Sequence, residues 1–333
     1  TAALALAGPG QVALAIALVI VSNTFYSWGE SLTAAFLPEL ARPEAMGKVS
    51  GWGWGLGYLG GMLTLGICLA YVLQAQAQGL PASHFVPVTM LVTALMYGLP
   101  SLVTFWLMQE RAKPDPDALC REGLRASWEQ FKRTLSQARR YPDFIWLMAC
   151  ALCYQGGVSV AITLAAIYAE QVIGFAPQET MVLIFALNAA AAAGAFAWGY
   201  VQDRIGHKLA LGITLVGWIA TCVIAALAAT KGQFWWAAGL AGLCMGSSQS
   251  AGRAMAGLFA PPRQLAEFYG LWSVALRLSA IVGPLTYGAI TWATGGNHRL
   301  AILSTAALFI AGLLLLMKVD VARGRATAVS AAP

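Results

Sequence analysis

Nine apolar segments, each long enough to cross a lipid bilayer as a helix, dominate the 333-residue chain. The hydrocarbon core of a bilayer is about 30 Å thick, so a spanning helix needs about 20 apolar residues. Hydrophobic residues make up 59% of the chain and charged residues only 10%, against about 45–50% and about 25% in soluble domains. These values exclude a soluble enzyme, a disordered chain and a nucleic-acid binder. The sequence predicts an all-α polytopic membrane protein with spans near 10–37, 50–73, 84–108, 143–170, 178–201, 208–230, 233–257, 266–293 and 299–319.

Basic residues alternate between successive loops. Of the 20 Lys and Arg residues, 17 fall in loops on one side, here called the basic side. Lys231 and Arg299 lie on the other side, and Arg277 lies inside a span. Cytoplasmic loops carry the excess of Lys and Arg. We therefore expect a monomeric integral protein of a bacterial inner membrane, in contact with the lipid bilayer, with a cytoplasmic C-terminus.

The longest loop, residues 109–142, differs from the others in composition. It begins with a Pro-rich breaker, KPDPD at 113–117. Apolar residues then recur at helical spacing, with basic residues on the other faces. This pattern predicts an amphipathic helix at the membrane surface, and a solvated linker is the alternative. The apolar positions are Leu124, Trp128, Phe131 and Leu135.

The long loop divides the spans unequally, with three before it and six after it. Many transporters consist of two six-helix halves joined by a cytoplasmic loop. On this interpretation the chain holds nine of twelve helices and is truncated at its N-terminus. Residues 1–108 would be the remainder of the N-terminal half, from the tail of helix three to helix six. The cytoplasmic linker would be 109–142, the C-terminal half 143–320 and the cytoplasmic tail 321–333.

The loop after the fifth span, GYVQDRIGHK at 199–208, resembles the G-x-x-x-D-R-x-G-x-[RK] loop of the major facilitator superfamily. The resemblance implies that this loop latches the two halves together in one conformational state. By pseudo-symmetry Asp203 should meet the start of the second span, near 48–51, where a helix N-terminus favours negative charge. Arg253, at the end of the seventh span, is either a further gating residue or a membrane anchor. The gating positions in the motif are Gly199, Asp203, Arg204, Gly206 and Lys208.

Longer phrases are similar to signatures of the autophagy-related vacuole-effluxer family, whose fungal members export amino acids. They are AFLPEL at 35–40, VSGWGWGLGYLGG at 49–61, EFYGL at 267–271, GP at 283–284 and RLAILS at 299–304. The resemblance implies a secondary active transporter of a small polar solute, with amino-acid efflux as the activity and alternating access as the mechanism. The chain departs from the family at 33–34 and at 154–157, where an acidic residue is absent.

Polar residues inside spans are the candidates for the solute site, because burying them in a membrane is costly. Arg277 lies about 15 Å deep, at 1.5 Å per helical residue. It could anchor a substrate carboxylate or phosphate, or form a structural ion pair. Glu30 is its candidate partner, or it could carry a coupling proton. The other substrate-binding candidates are Tyr154, Gln155, Tyr26, Asn23 and Gln249.

Glycines form two further patterns. Gly156 and Gly157 would either expose backbone to a ligand or form a packing notch against another helix. Gly53, Gly57 and Gly61 recur at every fourth position of the second span. With Ala189, Ala193 and Gly194 of the fifth span, they predict small-residue faces at which these two helices pack across the halves.

Several signals of other functions are missing from the sequence. Cys150 and Cys153 have CxxC spacing but lack a second pair of zinc ligands. The sequence contains no P-loop. We therefore expect no enzyme activity, no cofactor and no metal. A non-transporting receptor or scaffold, and a transporter of another solute class such as a drug or a sugar, are the alternatives.

Overall fold

The protein is described by a computed structural model, which covers residues 1–8, 10–108, 124–262 and 264–330, with only the backbone at 124–127. All regular structure in these ranges is helical. Four short turns of helix, Ala2–Leu6, Leu37–Leu40, Pro43–Ala45 and Ala169–Ile173, accompany the longer helices. The longer helices are α1 Val12–Ala35, α2 Met46–Ala77, α3 Ala82–Leu107, α4 Leu124–Ala138, α5 Pro142–Tyr168, α6 Pro177–Ile205, α7 His207–Leu227, α8 Lys231–Phe259, α9 Leu265–Ala293, α10 His298–Met317 and α11 Val321–Ser330.

Each predicted span contains one long helix, so the all-α membrane architecture is confirmed. Within the described ranges, eight helices are long and apolar enough to cross a membrane. The seventh predicted span, 233–257, forms α8, which is 29 residues long but is not among the eight. Serine and glutamine at 247–250 lower the hydropathy of α8.

Two compact units divide the chain. The first comprises 1–30 and 57–113, and the second comprises 31–56 and 114–333. In the first unit, the rings of Tyr26 on α1 and Tyr97 on α3 have centroids 6.3 Å apart. The Cys68 Sγ of α2 lies 3.8 Å from the carbonyl oxygen of Thr89 on α3. The predicted boundaries of the two six-helix halves stay a prediction.

Helices α5 to α10 form the main body of the second unit. Helix α8 packs against α6 and α7, while α5 packs against α9 and α10. Small residues allow the closest approaches: a Cβ on Gly283 would overlap the carbonyl oxygen of Gly156, and one on Gly157 would overlap the Phe309 ring. The glycine pair at 156–157 is therefore a packing notch in this structure, which favours the second of its two interpretations.

Helix α4 forms where the amphipathic pattern predicts it. Its polar side contacts α9, where Gln130 Nε2 donates to Glu267 Oε1 at 2.7 Å and Thr134 Oγ1 donates to Glu267 Oε2 at 2.8 Å. Trp128 is 57% exposed and stacks on Phe131. Trp128 and Leu135 on the apolar side are thus left exposed, as an interfacial helix requires, and the membrane location of α4 stays a prediction. The breaker at 113–117 lies outside the described residues.

The C-terminal helix α11 is held to the second unit by an ion pair. Arg323 Nη2 and Nε donate to the two carboxylate oxygens of Asp143, each at 2.8 Å. The backbone N–H of Asp320 also donates to Asp143 Oδ1, at 2.7 Å. The Asp143 side chain is 1% exposed, whereas that of Arg323 is 55% exposed. Loss of the guanidinium would therefore leave a buried charge without its partner, whereas loss of the carboxylate would leave a charge that water can reach.

Replacing Arg323 with glutamine should therefore destabilise the protein more than replacing Asp143 with asparagine. The first change leaves a buried carboxylate with one backbone donor, and the second leaves a guanidinium that water can solvate. Breaking a fully buried pair costs about 3–5 kcal/mol, and we expect a smaller loss for Arg323→Gln because the Arg323 side chain is half exposed. Thermal unfolding of the purified variants measures the difference, with the exposed Arg204→Gln as control. A melting temperature of Arg323→Gln equal to or above that of Asp143→Asn, or equal to that of Arg204→Gln, would contradict this prediction.

Candidate conformational latch

The turn between α6 and α7 consists of one residue. Gly206 has φ 90° and ψ 142°, a conformation that is readily accessible only to glycine. Its N–H donates to the Gln202 carbonyl and its carbonyl accepts from the Ala210 N–H, each at 3.0 Å. The glycine thus joins two long helices directly, and it leaves Asp203 on the last turn of α6, at the basic side.

The Asp203 carboxylate caps the start of α2. Its Oδ1 accepts from the Gly47 N–H and its Oδ2 from the Lys48 N–H, both at 2.8 Å. Helix α2 begins at Met46, so these two N–H groups have no partner within the helix. The contact occurs where pseudo-symmetry predicts it, at a helix start whose dipole attracts negative charge.

A buried polar row continues from this cap. Ser50 Oγ on α2 donates to the Ser250 carbonyl on α8 at 2.9 Å. Gln202 Nε2 on α6 donates to Ser250 Oγ at 3.0 Å. All three side chains are fully buried, so their hydrogen bonds are shielded from water. Sequence reasoning missed this row, although the polar run at 247–250 in an apolar span was a visible signal.

Arg253 on α8 completes the contact with α2. Its Nη2 donates to the Ser50 carbonyl at 2.7 Å and its Nε to Ser50 Oγ at 3.2 Å. The guanidinium lies 5.4 Å from the centroid of the Trp54 ring, within range of a cation–π interaction. The side chain therefore engages another helix, and its role as a gating residue stays a prediction. We name Ser50, Gln202, Asp203, Ser250 and Arg253, with the capped start of α2, the latch.

The small-residue face of α2 at the latch is not the predicted one. A Cβ on Gly51 would overlap the Ala195 carbonyl and lie 3.0 Å from the Gly199 Cα. Gly47 and Gly55, one helical turn to either side, also face α6. Residues 51 and 53 differ by about 200° around a helix of 3.6 residues per turn. The predicted face was wrong at Gly53, which lies against the Arg253 guanidinium of α8 instead of α6.

The predicted face of α6 was wrong for a similar reason. Gly194 lies against Leu243 of α8, because a Cβ there would overlap the Leu243 carbonyl. Ala195 and Gly199 meet α2 instead, one and five residues further along. A shift of one residue turns the face by about 100°. Packing explains the glycine at motif position 199, because a Cβ there would lie 3.0 Å from the Gly47 carbonyl oxygen.

Two charged positions of the motif lie outside the latch. Lys208 Nζ donates to the carbonyls of Met317 at 3.2 Å and Val319 at 2.6 Å. It therefore joins the start of α7 to the end of α10. Arg204 is exposed and makes no hydrogen bond or ion pair within the described part of the chain. A gating role for these two residues stays a prediction.

The predicted solute-site residues of the second unit have different environments. Tyr154 is fully buried, and a Cβ on Gly252 would overlap its hydroxyl. Gln155 and Gln249 are 7% and 8% exposed, whereas Arg277 is exposed on α9. Tyr154 therefore packs inside the bundle, while Arg277 is accessible at the surface of its unit.

The remaining candidates lie in the first unit. Tyr26 is 46% exposed, and Asn23 is exposed with its Nδ2 donating to the Val19 carbonyl at 3.0 Å. Glu30 is half-buried. The predicted site residues thus divide between the two units, and their convergence on one cavity stays a prediction. Among the described residues, no group of three or more His, Cys, Asp or Glu could hold a metal ion.

Comparison with known sequences identifies related proteins. The family model "Vacuole effluxer Atg22 like" matches residues 1–329. The MFS-type transporter YxiO of Bacillus subtilis, itself uncharacterized, is 26% identical over 299 residues, which cover 89% of this chain and 67% of YxiO. Autophagy-related protein 22-1 of Penicillium rubens is 24% identical over 307 residues, covering 85% of this chain and 50% of that protein. The chain spans about half the length of the fungal relatives it matches.

Solved structures show the same fold. The fucose:proton symporter FucP of E. coli superposes with a TM-score of 0.67 at 16% identity, over 87% of this chain and 73% of FucP. The human organic anion transporter MFSD10 gives 0.66 at 18% identity, over 86% of this chain and 67% of MFSD10. The family match over residues 1–329 shows that the chain belongs to the Atg22-like vacuole-effluxer family of major facilitator superfamily transporters.

Proposed function

We propose that the protein moves a small polar solute across the membrane by alternating access, and that the latch closes one side. The observation that best supports this proposal is that the Asp203 carboxylate accepts hydrogen bonds from two backbone N–H groups at the start of α2. In alternating access, two bundles rock against each other around a fixed site. A contact formed by a helix end and a few polar side chains can form in one state and break in the other.

The latch would join the two six-helix halves. We assign 1–108 to the N-terminal half, 109–142 to the linker, 143–320 to the C-terminal half and 321–333 to the tail. On that division α2 belongs to one half, and α6 and α8 belong to the other. The distribution of basic residues supports a cytoplasmic basic side, so the latch would close the cytoplasmic side of a bacterial inner-membrane protein that acts as a monomer.

An amino acid is the substrate class that we propose. Family membership supports efflux, and Arg277 offers a planar guanidinium that matches a carboxylate. Gln155 and Gln249 in the second unit, with Asn23 and Tyr26 in the first, supply amide and hydroxyl groups for the remaining polar atoms. Tyr154 would act indirectly, through the packing of α5 on α8.

Uptake into proteoliposomes tests this proposal. The purified protein is supplied with a panel of radiolabelled amino acids, with and without a pH gradient, beside protein-free liposomes. We expect uptake of at least one amino acid, and we expect Arg277→Lys to raise the KM for it, because lysine cannot form the two parallel hydrogen bonds. No uptake of any amino acid would contradict the proposed substrate class.

Proton coupling through Glu30 is a separate prediction. Replacing Glu30 with glutamine should abolish the stimulation by a pH gradient while leaving solute exchange intact, because glutamine cannot bind and release a proton. The control is Glu170→Gln, an exposed acidic residue at the end of another span. Uptake by Glu30→Gln with the pH dependence of the unmodified protein would exclude Glu30 as the proton carrier.

A further inference from the structure

Helix α4 is fastened to the start of α9 along one of its sides. Both carboxylate oxygens of Glu267 accept hydrogen bonds from this side, one from Gln130 and one from Thr134. One turn further along, Gln264 Nε2 donates to Gln137 Oε1 at 3.0 Å. Because these three bonds come from successive turns of α4, they determine which side of the helix is turned away from α9.

The side turned away from α9 carries aromatic, aliphatic and basic side chains together. At 3.6 residues per turn, Lys132 and Leu135 lie within about 40° of Trp128 around the helix, whereas the three α4 residues bonded to α9 lie about 120–180° from Trp128. Trp128 is 57% exposed and Leu135 is 41% exposed, and Lys132 is exposed as well. We name Trp128, Lys132 and Leu135 the outer face of α4.

Positive charge predominates around the outer face. Lys132 Nζ lies 5.4 Å from the centroid of the Trp128 ring, within range of a cation–π interaction. Arg139 and Arg140 are exposed directly after the helix. From 128 to 141 the chain has four Lys or Arg residues and one acidic residue, Glu129, which lies about 100° from Trp128. The carboxylate that α9 contributes is bonded to the opposite side of α4, so it does not neutralise the outer face.

The end of α4 lies next to the start of a membrane span. Helix α4 ends at Ala138, and α5, which is apolar enough to cross a membrane, begins at Pro142. Four residue steps reach at most about 14 Å, so the end of α4 is held close to the level at which α5 enters the membrane. Tryptophan is enriched at that level, and clusters of Lys and Arg beside a membrane helix attract acidic lipids.

We propose that the outer face of α4 binds the anionic lipid surface of the basic-side leaflet. Trp128 and Leu135 lie at the boundary of headgroups and acyl chains, and Lys132 is attracted by the negative charge of the headgroups, together with Arg139 and Arg140. The amphipathic pattern alone predicts a surface location, whereas the side fixed by α9 and its charge specify the face and the class of lipid. The contact holds the linker helix between the membrane and α9, and it does not depend on the proposed substrate.

An environment-sensitive fluorophore at position 135 tests this contact in the whole protein. Leu135→Cys is labelled in a background without native cysteines and reconstituted in vesicles of phosphatidylcholine, alone or in an equal mixture with phosphatidylglycerol. Lipids brominated on their acyl chains quench the fluorophore where it enters the bilayer. We expect blue-shifted emission and strong quenching in the mixture, weak quenching in phosphatidylcholine, and a smaller difference at high salt because screening weakens the charge interaction.

Two results would overturn the proposal. Equal quenching in both kinds of vesicle would show that lipid charge does not matter. Emission typical of water without quenching in either kind would show that the outer face does not contact lipid, and would leave it to a soluble acidic partner. Both comparisons use the same labelled protein, so they do not depend on how well a charge variant folds.

A matched pair of variants on adjacent residues locates the contact on the outer face. Lys132→Gln removes the cation beside Trp128, and Arg133→Gln removes an exposed cation that lies about 140° from Trp128. In the mixed vesicles, Lys132→Gln should lower the ratio of quenched to unquenched fluorophore about fivefold, equivalent to about 1 kcal/mol for one cation at an anionic surface. Adding Arg139→Gln and Arg140→Gln to Lys132→Gln should lower it about 100-fold. An equal ratio in Lys132→Gln and Arg133→Gln would overturn the assignment to this face.

Discussion

Replacing Asp203 with asparagine should release the start of α2 from α6 and α8. The carboxylate accepts two hydrogen bonds from backbone N–H groups, whereas an asparagine amide offers one acceptor and turns a donor toward the other N–H. Hydrogen bonds to charged groups contribute about 1.5–3 kcal/mol each. A loss of about 2–3 kcal/mol would shift the equilibrium away from the latched state about 30- to 150-fold.

A cysteine at Met46 reports this change. Met46 is 2% exposed and packs against Leu37, Ala41 and Ala254, so its thiol should react slowly while the latch is closed. The rate of labelling by a membrane-impermeant thiol reagent is measured with the native cysteines replaced. The matched control is Asp320→Asn, which makes the same change at the start of α11, where Asp320 accepts from the Arg323 N–H. A labelling rate in Asp203→Asn equal to that control would contradict the latch.

Adding a single methyl group at Gly51 should have an effect of similar size. A Cβ there would overlap the Ala195 carbonyl, and neither atom can move without shifting a helix backbone. Overpacking of this kind costs about 1–3 kcal/mol, and more when backbone is involved. Gly51→Ala should therefore favour the open latch and reduce transport about 100-fold, at about 1.4 kcal/mol per factor of ten.

Gly57→Ala is the control for this prediction, because the described residues leave open space around position 57. Alanine favours a helix interior over glycine by about 1 kcal/mol, so Gly57→Ala should leave labelling of a Met46 cysteine unchanged and raise the melting temperature slightly. The two variants thus have effects of opposite sign on stability. Transport by Gly51→Ala at the rate of Gly57→Ala would show that the close approach is unnecessary.

The helices could be predicted from sequence because their signal is local. A bilayer demands about 20 apolar residues per span, and this length identified even α8, whose serines and glutamine lower its hydropathy. The alternation of basic residues between successive loops supported the number of predicted spans. The contact of Asp203 with the start of α2 was also predictable, because the motif and the internal symmetry of the fold fix both partners.

The contact faces could not be predicted, because the glycine pattern of α2 is ambiguous. Glycines at 47, 51 and 55 and at 53, 57 and 61 each recur at every fourth position. Both sets form a continuous small face, and only tertiary packing selects between them. The pairing of Ser50 with Ser250 depends on the same choice, since Ser50 lies one residue from Gly51 and 200 residues from its partner.

The polar residues within the spans of the second unit show a second limit of prediction from sequence. A tyrosine in an apolar helix can face a solute cavity or a notch in a neighbouring helix. Tyr154 takes the notch at Gly252, whereas Arg277 remains exposed on α9. The spacing of residues within one helix does not show which neighbouring helix each residue faces. The buried environment of Tyr154 and the exposed environment of Arg277 therefore could not be distinguished from the sequence.

Reversible cross-linking of the latch tests the central claim most directly. Ser50 and Ser250 are replaced by cysteines in a background without native cysteines, because Ser50 Oγ lies 2.9 Å from the Ser250 carbonyl. A short bifunctional thiol reagent with a reducible bond then joins α2 to α8, and uptake is measured beside each single-cysteine variant. Alternating access predicts that the joined protein stops transporting and recovers on reduction. Uptake that continues unchanged while α2 and α8 are joined would contradict it.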